Sequence, residues 1–263
     1  MAASLKEKMR SGTPALGCWL NLFDTLVAEI IGSAGYDFAM IDLEHGPGSV
    51  LEAVRVMQAL GEDCVPYARV PANDPVWIKR VLDAGVQGVM VPSVNNAADA
   101  AAAVGACHYA PRGSRGMAAT IVRASNFGAD WEAYVERIER EVLVICQIES
   151  QGAVENVEAI AATEGLDMLF VGPFDLSASL GYLGQPDHRE VREAIGRIEA
   201  AAKSAGALLG GISTPGRTSG ELLAQGYDLI LPVGDVALLR DGARASVRAL
   251  RSDRETAGRG SDQ

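Results

Sequence analysis

Glu164-Gly165-Leu166-Asp167-Met168-Leu169-Phe170-Val171-Gly172-Pro173-Phe174-Asp175-Leu176-Ser177 carries the fold in miniature. A helical pattern over Ala153–Thr163 ends, and Gly165 supplies the left-handed residue that closes it. Met168–Val171 follows, short and apolar on both faces. That is what a parallel strand needs when helices cover both sides of the sheet. The unit recurs as Ala34-Gly35-Tyr36-Asp37 before Phe38–Ile41, and as Ala84-Gly85-Val86-Gln87 before Gly88–Val91. The last copy is Gln225-Gly226-Tyr227-Asp228 before Leu229-Ile230-Leu231-Pro232.

Filling the intervals gives eight strands: Leu16–Leu20, Phe38–Ile41, Val65–Val70, Gly88–Val91, Leu143–Ile148, Met168–Val171, Ala207–Gly211 and Leu229–Val233. Helical patterns lie between them, and Val236–Leu250 follows the last. Eight alternations in 263 residues predict an α/β fold, a single (β/α)8 TIM barrel. No Gly-x-Gly-x-x-Gly follows a strand, which disfavours a dinucleotide fold. One domain spans 1–263. Its folded part covers about 12–250, and the polar, Gly-rich stretch 251–263 reads as a disordered tail. His108 to Asp130 reads as a long loop.

The chain is 48% hydrophobic and 22% charged, with a net charge of −11. An acidic surface argues against nucleic acid and anionic membranes as partners. No apolar run reaches membrane-spanning length, and the start lacks an apolar signal segment. Cys18, Cys64, Cys107 and Cys146 are far apart, without metal-type spacing. A reducing cytoplasm is the expected location.

In such a barrel the site forms at the C-terminal strand ends. Those positions hold Trp19 and Asn21, then Asp42, Glu44 and His45, then Arg69, Gln147, Glu149 and Asp175. Glu149 and Asp175 are two carboxylates on neighbouring strand ends, a hard-oxygen site for a divalent cation that keeps several waters. His45, flanked by acids, suits a base. Arg69 ends a buried run, so its fork of donors points into the mouth, towards a carboxylate or oxyanion. Each residue also has a plainer reading. The acids serve equally as solvated loop residues, His45 as a capped surface histidine, and Arg69 as half of a salt bridge.

Together these residues stand in segments similar to those of the HpcH/HpaI aldolases. The segments are Gly17-Cys18-Trp19-Leu20, Asp37-Phe38-Ala39-Met40-Ile41-Asp42-Leu43-Glu44-His45, Ala68-Arg69-Val70, Leu82-Asp83-Ala84-Gly85 and Val91-Pro92. Tyr109-Ala110-Pro111-Arg112-Gly113-Ser114-Arg115-Gly116, Gln147-Ile148-Glu149, Gly172-Pro173-Phe174-Asp175-Leu176-Ser177 and Gly181-Tyr182 continue the series. The chain resembles this family of class II, metal-dependent pyruvate aldolases from about Gly17 to about Leu250. Its members act on substrates such as 4-hydroxy-2-oxoheptanedioate and 2-dehydro-3-deoxyglucarate.

The resemblance implies cleavage of 4-hydroxy-2-keto acids to pyruvate and an aldehyde through a metal-bound enolate. Glu149 and Asp175 would hold Mg²⁺, Mn²⁺ or Co²⁺. His45 would be the base, Arg69 would neutralise charge on oxygen, and Asp42 and Asp83 would be acids of the catalytic set. Trp19, Arg123, Gln147, Phe174 and Asp175 would contact substrate. The place of Asp83 at a helix end, away from the mouth, points to a neighbouring subunit's site. Members of the family are often hexamers, trimers of dimers that exchange the C-terminal helix. Phe174 departs from the family, which often has a small residue there, and Gly116-Met117-Ala118 lacks a second glycine.

Three other readings compete. One is a carbon–carbon lyase acting on a CoA thioester, for which only Arg112, Arg115 and Arg123 offer a basic cluster. Another is a phosphate- or flavin-binding barrel, with faint support from Gly210-Gly211. The third is a non-catalytic binding protein.

Overall fold

The computed structural model describes residues 3–260, with the backbone alone for 255–260. Eight parallel strands close into a ring: β1 (Ala15–Leu20), β2 (Phe38–Asp42), β3 (Val65–Arg69), β4 (Gly88–Val91), β5 (Leu143–Ile148), β6 (Met168–Val171), β7 (Leu208–Gly211) and β8 (Leu229–Gly234). Each strand pairs with the next, and β8 returns to β1. The glycine-before-strand reading holds where backbone geometry demands it. Gly85 closes the helix Pro75–Ala84 at φ 112°, a conformation that costs a side-chain-bearing residue strain.

The core has two layers. Inside the barrel lie Phe38, Met40, Tyr67, Met90, Ile145, Met168 and Phe170. Outside, the other strand faces meet the helices. The inner layer includes Leu5 and Met9 of a helix over Leu5–Arg10. That helix closes the N-terminal end of the barrel, where Lys6 Nζ donates to Val142 O at 2.9 Å and to Asp167 at 2.8 Å. Asp235, 2% exposed, ties the β8–β1 seam, accepting from the backbone N–H of Asn21 at 3.1 Å and of Leu22 at 3.0 Å.

The structure departs from the sequence reading at several places. The folded part begins before residue 12, because Leu5 and Met9 bury an apolar face that the barrel floor needs. A helix over Trp131–Glu141, with Tyr134 and Ile138 buried, follows the long segment after His108. The stretch Ala153–Thr163 is two short helices, Gln151–Glu155 and Val157–Ala161, and a further helix, Pro173–Ser179, follows β6. The expected disordered tail is helical through Gly260, since one helix runs over Asp235–Gly260. Once nucleated, a helix gains one hydrogen bond per added residue, which carries it through this polar sequence. Residues 261–263 lie outside the described residues. Among the described residues, no helix is long and apolar enough to cross a membrane.

Candidate active site

At the end of β2, Asp42 is 1% exposed and organises the strand ends around it. Its Oδ1 accepts from Arg69 Nε at 2.9 Å, and from the backbone N–H of Glu44 at 3.1 Å and of His45 at 3.3 Å. Its Oδ2 accepts from Arg69 Nη2 and from Asn21 Nδ2, both at 2.7 Å. Burial alone would push the Asp42 carboxyl up. The hydrogen bonds and charge of Arg69, with the two backbone N–H groups, hold it below its ordinary range instead. Arg69 is thereby fixed in place, with its guanidinium 4.4 Å from the centre of the Trp19 ring. Its Nη1 lies 3.1 Å from Glu44 Oε2.

On the opposite strands, Glu149 follows β5 and is 9% exposed. Its Oε1 accepts from the Ser93 backbone N–H at 2.7 Å, and the Gln147 amide Nε2 sits against its Oε2. Burial raises the Glu149 carboxyl above its usual range, and the charge of Asp175 adds to the rise against the pull of Ser93 and Arg69. Asp175 lies exposed in the first turn of Pro173–Ser179. Gly172 makes that approach possible. A Cβ there would lie 2.9 Å from Glu149 Cβ and 3.1 Å from Gln147 Nε2, so the chain passes directly over the glutamate.

A cavity of about 320 Å³ opens among these strand ends, at the C-terminal end of the barrel. Trp19, Asn21, Asp42, His45, Arg69, Gln147, Phe174 and Asp175 line it, with Phe170 and Ile212 completing an apolar side. The structure thus brings together most of the residues read from the sequence. The His45 imidazole is 64% exposed, and its nearest acid is Glu44, at 3.9 Å from Nε2. Asp42 holds the backbone of His45 rather than its ring.

Two expected residues lie elsewhere. Asp83, at the end of Pro75–Ala84, accepts from Arg115 Nη2 at 2.7 Å, and Arg115 also donates to the Tyr134 hydroxyl at 2.8 Å. That helix end belongs to the opposite end of the barrel, so within one chain Asp83 does not reach His45. Arg123, expected at the substrate, instead donates from Nη1 to Ala84 O at 2.7 Å. It satisfies a carbonyl that the helix terminus leaves unpaired. Ser93 was not singled out from the sequence. Its contribution is a backbone N–H, and only its place just past β4 could have signalled it.

A second cavity, also about 320 Å³, lies beside β7 between Arg189–Ala205 and Ser219–Ala224. Its Arg217 is engaged by Glu199, Gln225 and Tyr227, so the first cavity is the better chemical site. Gly210 and Gly211 make room for the rings of Phe170 and Tyr227 rather than for phosphate.

Glu149 and Asp175 fit a hard divalent cation. The buried Glu149 carboxylate feels a second negative charge, while the nearby Arg69 is committed to Asp42. Among the described residues, no three His, Cys, Asp or Glu side chains gather as a metal cluster. A cation held there would have two protein carboxylates, with its remaining positions left to water or substrate.

Comparison with known proteins agrees with this geometry. The HpcH/HpaI aldolase/citrate lyase family matches residues 15–240. The chain is 41% identical over 246 residues to a pyruvate aldolase of Rhizobium etli, covering 91% of this chain and 94% of the relative. It is 40% identical to a hydroxypyruvate/pyruvate aldolase of Chromohalobacter salexigens, covering 90% and 93%. A crystal structure of a family protein from Burkholderia cenocepacia J2315 superposes with a TM-score of 0.89 at 38% identity, covering 94% of this chain and 98% of that one. With this barrel and these strand ends, the chain belongs to the HpcH/HpaI aldolase/citrate lyase family and is a carbon–carbon lyase.

Proposed function

We propose that the chain is a class II pyruvate aldolase, cleaving 4-hydroxy-2-keto acids to pyruvate and an aldehyde and catalysing the reverse addition. The observation that carries this reading is a cavity lined by Asp42, His45, Arg69, Gln147 and Asp175, with the buried Glu149 held by Gln147 and feeling the charge of Asp175. Glu149 and Asp175 would hold Mg²⁺, Mn²⁺ or Co²⁺. Such an ion supplies Lewis-acid stabilisation of charge developing on the keto oxygen.

Arg69, aimed by Asp42, faces the carboxylate or keto oxygen of the substrate and counters its charge. Gln147 contacts the same keto acid, and Trp19 and Phe174 shape the space for the aldehyde. In cleavage, His45 accepts the proton of the C4 hydroxyl. The C4–O electrons become the aldehyde carbonyl, the C3–C4 pair passes to the keto acid fragment, and C3 then takes a proton to give pyruvate.

Exposed Val236, Leu238, Leu239, Val247 and Leu250 on Asp235–Gly260 support a hexamer of helix-exchanging dimers, in which Asp83 would serve His45 of another copy. Four buried, free cysteines suit the reducing cytoplasm. The CoA-thioester reading loses its basic cluster, because Arg112, Arg115 and Arg123 donate to Glu139 O, Asp83 and Ala84 O.

The test is pyruvate release from 4-hydroxy-2-keto acids with Mg²⁺, Mn²⁺ or Co²⁺. A chelator should abolish release and added metal restore it. Glu149→Ala should lower the rate at least about 1,000-fold, the equivalent of several kcal/mol of lost charge stabilisation. Full activity in chelator would overturn the reading.

A further inference from the structure

Two buried side-chain acceptors beside Glu149 have no hydrogen-bond partner: Glu44 Oε2 and Gln147 Oε1. Glu44 Oε2 is 3.1 Å from Arg69 Nη1 and 3.9 Å from His45 Nε2, close in charge but aligned with neither as a hydrogen bond. Gln147 is 3% exposed, and its Nε2 end is held against Glu149 Oε2. Its oxygen is therefore left over in the wall of the cavity. A buried acceptor without a donor costs about 1–3 kcal/mol, so such atoms mark places where a donor is missing. Two of them flank the same carboxylate.

The donor they need follows from the number of protein ligands. A divalent cation held by only two carboxylates keeps several waters, and each water points its hydrogens away from the ion. Those hydrogens need acceptors. Resting on the reading of Glu149 and Asp175 as ligands, the geometry points to Glu44 and Gln147 as the outer shell of this cation site, accepting hydrogens from the water that the ion carries. Glu44 also brings a third negative charge. Burial, then the charges of Glu149 and Asp42, holds its carboxyl above the usual glutamate range against the pull of Arg69 and His45. A nearby cation relieves that strain. Glu44 and Gln147 are thus positioning residues for the ion and its water.

The experiment is Mn²⁺ binding without substrate, followed by the resonance signal of free Mn²⁺ and by calorimetry. Glu44→Met and Gln147→Met should each weaken Kd about 10- to 100-fold, the usual effect of losing an outer-shell partner. Glu44→Gln keeps an acceptor oxygen and should fall between wild type and Glu44→Met. Gln147→Met also removes the contact of Nε2 with Glu149 Oε2, so the metal-free melting temperature of each variant is measured beside that of wild type. That comparison separates lost binding from lost folding. If Glu149→Gln abolishes binding while Glu44→Met and Gln147→Met bind as wild type does, the outer-shell assignment is overturned. If Glu149→Gln itself binds Mn²⁺ normally, the ligand assignment fails and this inference fails with it.

Discussion

Asp42–Arg69 at the barrel mouth and Asp83–Arg115 on the outer flank look alike in isolation. In both, a guanidinium Nη2 donates to the aspartate at 2.7 Å, and the arginine is almost entirely buried. The first pair leans on Trp19, while the second lies 4.6 Å from the centre of the Tyr109 ring and 5.8 Å from that of Tyr134. They differ in what is left unsatisfied around them. Beside the mouth, the free groups are acceptors, Glu44 Oε2 and Gln147 Oε1. On the flank they are chiefly donors, Nε and Nη1 of Arg115, with the Tyr109 hydroxyl. A buried ion pair therefore does not by itself tell the two places apart, whereas the sign of the unmet hydrogen-bonding capacity does.

The largest test of this contrast is on the flank. Asp83→Asn leaves the Arg115 charge buried without its counter-ion and should cost about 3 kcal/mol or more of unfolding free energy, measured by urea denaturation. Folded Asp83→Asn should also lose turnover if Asp83 serves the His45 of another copy, as proposed. Full turnover in the folded variant would make the flank pair purely structural and remove Asp83 from the catalytic set.

At the mouth, Arg69→Ala should lower the rate of pyruvate release about 100-fold, the effect of removing one donor to a developing oxyanion. Normal turnover in that variant would reduce Asp42–Arg69 to the same structural role as its counterpart.

A smaller effect concerns acid. The folded-state carboxyl of Asp42 is held below its ordinary value, so its contribution to stability is present above the unfolded value and is lost as pH falls through the folded one. Asp42→Asn should therefore be less stable than wild type at neutral pH, and the gap should close only in strong acid. Melting curves from pH 7 downward measure it, and a gap that closes already near pH 5 would contradict the assignment.

The barrel was legible because its strands are apolar on both faces and follow glycines that end helices. Gly88–Val91, Leu143–Ile148 and Met168–Val171 have the bounds read from sequence. Trp131–Glu141 escaped because it follows a long irregular segment and is charged on all but one stripe, Tyr134 and Ile138. At the site, residues on strand ends were legible from topology alone. Arg123 was not, since a short motif does not say which end of the barrel a loop returns to. Glu44 was read as a strand-end acid beside His45, but sequence adjacency does not show that its oxygen lies 3.1 Å from Arg69 Nη1 and feels the charge of Glu149. Asp175 follows β6 in the first turn of Pro173–Ser179, and the close pass of the preceding backbone over Glu149 depends on Gly172 having no side chain.

The β8–β1 seam has a consequence for biosynthesis. β1 is complete at Leu20, yet the strand that covers its open side begins at Leu229. At about 5–20 residues per second, the intervening chain takes roughly 10 to 40 seconds to synthesise. Until then neither β8 nor the Asp235 latch exists, and β1 presents a row of unpaired backbone groups beside Leu16, Cys18 and Leu20. For a growing chain on the ribosome, this first-made strand is the one longest open to pairing with a neighbouring nascent chain.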